Sequence, residues 1–152
     1  MTAPTTPPPR APPVRLVALF GALGLIPFWA PLALALAAPA YGRWALGVQA
    51  VYAGLILSFL GGARFGRALD APGGGATVAI SMVPSIVALG VLAAPVTHAA
   101  GALALALALV AAFVWDVRAP GLPASYKRLR AALTVFAAAA LTIGALLPLP
   151  VR

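Results

Sequence analysis

Arg64 and Arg67 stand three residues apart at the end of a long uncharged run, and a second basic group, Lys127, Arg128 and Arg130, precedes another such run. Side chains three apart on a helix lie near one face. A guanidinium pair there could hold a phosphate or another anion through charge-assisted hydrogen bonds. The simpler role for both groups is anchoring to anionic lipid headgroups, each cation contributing about 1 kcal/mol near such a surface. Other reactive side chains are few. His98 is the only histidine, and Asp70 and Asp116 are the only acids, both at the edges of apolar runs. A lone histidine without a nearby carboxylate forms neither a metal site nor a catalytic dyad. No ionisable group falls in the middle of an apolar run, where proton or ion relays usually need one. No nucleophile–base pair, phosphate loop or metal-ligand spacing is present, and there is no cysteine. These residues point away from an enzyme and imply no cofactor.

The elements that carry these residues follow from composition. The chain has 152 residues, 63% apolar and 8% charged, with a net charge of +8. Ten basic and two acidic residues are too few to cover a water-soluble domain of this size. The solvent for most of the surface is lipid. The cations lie between apolar runs rather than on a solvated face with stacking aromatics, which argues against nucleic-acid binding. Nine of the ten are Arg and alanine is abundant, the composition of a GC-rich bacterial genome.

A span needs roughly 20 apolar residues to cross about 30 Å of hydrocarbon. The sequence predicts an all-α polytopic transmembrane bundle with helices at about 16–38, 44–63, 76–93, 96–115 and 131–147, within a membrane domain over 14–148. The third uncharged run, Ala71–Trp115, is long enough for two spans, and Ala94-Pro95 divides it. Residues 1–13 are Pro-rich and read as a disordered tail, and 149–152 as a short C-terminal tail. A cleaved signal peptide is disfavoured, because the run after Arg15 exceeds the usual apolar segment of about 7–15 residues. The Ala-Leu alternation from Ala102 imitates a strand, but an open strand cannot satisfy its backbone in lipid. Arg10, Arg15, Arg64, Arg67, Arg118, Lys127, Arg128 and Arg130 fall on one side of five crossings, and Arg43 and Arg152 on the other. The positive-inside rule then places the N-terminus in the cytoplasm and the C-terminus outside.

Within the second predicted helix, Gly54, Ser58, Gly62 and Gly66 recur every four residues. Small side chains on one ridge let another helix approach closely, in the same chain, a second copy or another membrane protein. Gln49 and Tyr52 on this helix are expected to make interhelical hydrogen bonds. Pro84, flanked by Ser81 and Ser85, removes one hydrogen bond from the third helix, frees the carbonyl of Ile80 and predicts a kink.

The run Leu57-Ser58-Phe59-Leu60-Gly61-Gly62-Ala63-Arg64-Phe65-Gly66 resembles the signature of the family catalogued as domain of unknown function 3429. That family includes a mitochondrial protein named transmembrane protein 69. Gly24–Phe28, Ser81–Ser85, and Gly121–Pro123 with Tyr126 and Arg128–Arg130 are similar to it as well. The family pattern has Trp where Phe65 stands. The resemblance covers roughly 14–148 and implies a multi-pass inner-membrane protein, with no reaction or catalytic residue to carry over. The leading expectation is a non-enzymatic helix-packing or scaffold protein of the bacterial inner membrane. A small oligomeric channel or transporter, or a protein binding anionic lipid headgroups, stands beside it.

Overall fold

The computed structural model describes residues 14–69, 75–119 and 121–148. The two predicted tails and most of the Gly73-Gly74-Gly75 linker lie outside the described residues. Those described form seven α-helices and one 3-10 turn, with no strand among them. The helices are α1 (Val14–Leu23), α2 (Ile26–Ala37), α3 (Gly42–Leu69), α4 (Gly75–Ser81), α5 (Val83–Ala93), α6 (His98–Val117) and α7 (Ala124–Leu146), with the 3-10 turn Pro39–Tyr41 before α3. They make five segments long and apolar enough to cross a membrane, since α1 with α2 and α4 with α5 each form one interrupted crossing.

Both interruptions have a proline cause. Pro27 has no N–H to give, and the next residues re-pair: Phe28 and Trp29 both donate to the carbonyl of Leu25. The carbonyl of Gly24, which Phe28 would bond in an unbroken helix, accepts instead from the hydroxyl of Tyr52, at 3.0 Å. In lipid a freed backbone carbonyl needs such a partner. The Phe28 and Tyr52 rings meet edge to face at 5.1 Å and fix the same junction. In the third crossing the break falls at Met82, two residues before Pro84, and the Ser81 hydroxyl donates to the carbonyl of Val78 at 2.6 Å.

Two helices run further than their charges suggested. The second predicted helix continues from Ala63 to Leu69, and the fifth begins at Ala124 rather than Ala131. Arginine and lysine are good helix formers whose stems reach toward headgroups, so a charge marks the edge of the hydrocarbon and not the end of the helix. At 1.5 Å per residue, the 28 residues of α3 measure about 42 Å, well beyond a bilayer core of about 30 Å. Its last turns carry Arg64 and Arg67, the part of the helix suited to headgroups rather than hydrocarbon.

The α3 helix is the central element, packed against α2, α4, α5, α6 and α7. Its inward face carries Ala45, Leu46, Gln49, Ala53, Leu57 and Gly61. Gln49 is fully buried, and its amide donates to the carbonyls of Phe28 at 2.7 Å and Ala140 at 3.2 Å, so one side chain ties α3 to α2 and α7. Gly144 leaves room for it, because a Cβ there would stand 2.9 Å from the Gln49 oxygen. The rest of the core is largely alanine, which lets backbones approach closely where dispersion supplies most of the affinity. Helical period sorts the Ala-Leu run of α6: Leu105 and Leu109 are buried, Leu103 and Leu107 face outward. Leu55, Phe59, Ile86, Leu89 and Val135 are likewise exposed, a surface suited to acyl chains and unsuited to water.

Candidate functional site

Three helix ends bring the charged side chains together. The α3 and α6 C-termini and the α7 N-terminus converge on Asp116, which is buried at the end of α6. Arg67 donates to its Oδ1 at 2.7 Å, and the Tyr126 hydroxyl donates to its Oδ2 at 3.2 Å. Arg130 Nε stands 3.5 Å from the same Oδ2, an ion pair too long for a good hydrogen bond. Tyr126 and Arg130 are four apart on α7 and so share one face. Arg64, one turn before Arg67, lays its guanidinium over the Trp115 ring at 4.2 Å, a cation–π contact.

The balance of charge decides what this arrangement can do. Among the described residues, three guanidiniums face one carboxylate. Arg67 spends itself on Asp116. Arg64 Nε and Arg130 Nη2 are buried with no hydrogen-bond partner among the described residues. Donors without acceptors, in a site with surplus positive charge, suit a multivalent oxyanion such as a phosphate. Asp116 holds the cluster's geometry while leaving it cationic. Lys127 and Arg128 belong to the same end of the bundle but take no part in the ion pairs, and Arg128 is exposed.

Next to this cluster an apolar groove of about 450 Å³ opens between α3, α5 and α6. Leu57, Val83, Pro84, Val87 and Ala108 are among its walls, and Trp115 closes its basic end. Pro84 thus shapes a cavity wall as well as a break. At the opposite end, Arg43, Thr97 and His98 line a second cavity of about 570 Å³. Thr97 caps α6 there by accepting from the Ala100 amide at 3.3 Å. No group of three metal-ligating side chains occurs among the described residues.

The four-residue ridge separates in space. Gly54 is buried against Leu92 and Ala88 of α5, Ser58 is half-buried, and Gly62 and Gly66 are exposed with open space around them. The closest approach is at Gly61, where a Cβ would collide with the carbonyl oxygen of Ser81 and touch Pro84. Steps of four overshoot a 3.6-residue turn by about 40° each, so Gly66 has rotated about 120° from Gly54. The 54, 57, 61 spacing stays on the face.

Residues 13–146 match the profile of a family described as Protein of unknown function (DUF3429). The chain belongs to this family. No curated protein and no solved structure matches it. In this DUF3429 protein the run Leu57–Gly66 lies wholly on α3, and its residues serve different tasks: Gly61 admits the third crossing, and Arg64 reaches Trp115. The sequence singled out Arg64, Arg67 and Arg130 but not Asp116, Trp115 or Tyr126. One signal was present: an acid beside a tryptophan at the end of an apolar run, in a chain with only two acids, is costly to bury without partners.

Proposed function

We propose that this integral membrane protein is a non-enzymatic binder of a phosphate-bearing anion, held at its basic end by Arg64 and Arg130. In this reading it sits in a bacterial inner membrane with the basic end toward the cytoplasm, as the cation asymmetry favours. The observation that carries the reading is the surplus of guanidinium over carboxylate around Asp116 among the described residues, where Arg64 and Arg130 keep N–H groups without an acceptor. A cation anchoring only nonspecifically would be solvated, whereas the Arg130 side chain is just 11% exposed. The carboxylate of the cluster, Asp116, is already engaged by Arg67 and Tyr126, so retention rather than turnover is the chemistry proposed.

Thermal unfolding in an uncharged detergent tests the proposal. A ligand that binds only the folded state stabilises it by about 2.7 kcal/mol at a hundred times its dissociation constant. Inorganic phosphate, and separately phosphatidylglycerol in mixed micelles, should raise the unfolding temperature above chloride at matched ionic strength. Arg64→Gln should remove most of that gain. No gain in the parent protein, or an equal gain in the variant, would refute the reading. Assembly with a second copy is a second reading, favoured by the open backbone at Gly62 and Gly66 on the outer side of α3.

A further inference from the structure

The cationic cluster and the apolar groove share one side chain. Trp115 carries the Arg64 guanidinium on its ring and also closes the groove between α3, α5 and α6. Along α6 the groove reaches from Trp115 to Ala104, about 16 Å at the helical rise. One leaflet's hydrocarbon is about 15 Å deep. A free phosphate would use the cluster and leave the groove without a role. Solvated or peptidic anions would meet an apolar wall at the point where the groove begins. A molecule with an anionic phosphate at one end and an acyl chain at the other uses both.

Resting on the phosphate reading above, we infer that the ligand is an anionic phospholipid of the leaflet at the basic end, with one acyl chain in the groove. Its phosphate lies against Arg64 and Arg130. Its chain runs from Trp115 past Ala108 and between Leu57 and Val83. The charge of the cluster selects an anionic headgroup over a zwitterionic one. The groove selects a lipid over a soluble anion, because covering its apolar wall removes surface that a small anion leaves bare. Pro84 contributes by shaping the wall, since the break beside it sets the path of α5 past α3.

Brominated acyl chains quench tryptophan on contact, and Trp115 is placed to report one. With Trp29→Phe and Trp44→Phe in the full chain, Trp115 is the only tryptophan left. The protein is placed in phosphatidylcholine nanodiscs containing a minority of phosphatidylglycerol, with bromine on the chains of one lipid or the other. Brominated phosphatidylglycerol should quench Trp115 as though enriched about thirtyfold over its share of the bilayer, the ratio expected of two cations each contributing about 1 kcal/mol. Brominated phosphatidylcholine should show no enrichment. Ala108→Phe fills the groove and should return phosphatidylglycerol quenching to its bulk share, while inorganic phosphate still raises that variant's unfolding temperature. Val83→Phe, on the facing wall, gives the same test if Ala108→Phe does not fold. Arg64→Gln should abolish both the enrichment and the phosphate effect. Quenching in proportion to bulk composition, with phosphate protection intact, overturns the acyl-chain inference and leaves the anion site standing. Enrichment that survives both groove variants overturns it as well. Absence of phosphate protection in the parent protein removes the reading on which it rests.

Discussion

Asp116→Asn is expected to destabilise the bundle by about 3–5 kcal/mol, the loss typical when a buried ion pair keeps one charge and loses the other. The neutral amide keeps the size of the side chain, so the change is electrostatic rather than steric. Arg130 and Arg67 do not contribute equally. The Arg67 side chain is 43% exposed, and its pair with Asp116 is screened by water and ions despite the 2.7 Å contact. The Arg130 side chain is 11% exposed and, with Asp116 gone, would remain buried beside Tyr126 with no counter-charge among the described residues. Most of the loss therefore belongs to Arg130, and adding Arg130→Gln to Asp116→Asn should recover part of it. Unfolding curves of the parent, Asp116→Asn, Arg130→Gln and the double variant in one detergent give the coupling directly. Parallel curves for the parent and Asp116→Asn would show that the cluster does not hold the helix ends together.

The second large effect is expected at Gly61. Gly61→Ala should cost about 1–3 kcal/mol, because its methyl group would occupy the space of the Ser81 carbonyl and force α3 away from the third crossing. That carbonyl is backbone and cannot swing aside as a side chain would. Gly62→Ala adds the same atom one residue on, where nothing lies within 4 Å. It should leave stability unchanged or raise it by up to about 1 kcal/mol, since alanine is the better helix former. Two neighbouring glycines with opposite responses would be hard to obtain from propensity alone. Equal responses would mean that α3 does not approach the α4–α5 break at Gly61.

These two sites also show what could be read from the chain and what could not. Length and hydropathy were sufficient for the five crossings, because lipid tolerates only spans that satisfy their own backbone. Gln49 and Tyr52 could be assigned interhelical hydrogen bonds for the same reason, although not their partners: the Gly24 carbonyl that receives Tyr52 is released only by the break at Pro27. Choosing between Gly61 and Gly62 needs the angular drift of a real helix, which a count of four conceals over two steps. The helix ends at Leu69 and Ala124 were hidden because Arg and Lys close an apolar run without closing a helix. The cluster around Asp116 draws on three separate helices, and no spacing along the chain reports that they converge.

A native mass spectrum of the protein released from micelles containing equal phosphatidylglycerol and phosphatidylcholine tests most directly whether the basic end holds an anionic lipid. The account predicts a dominant monomer carrying one phosphatidylglycerol, with that adduct lost from Arg64→Gln and kept by the exposed-site control Arg128→Gln. A dimer mass would support assembly through the outer side of α3. Equal adducts of the two lipids, or adducts indifferent to Arg64, would contradict the account.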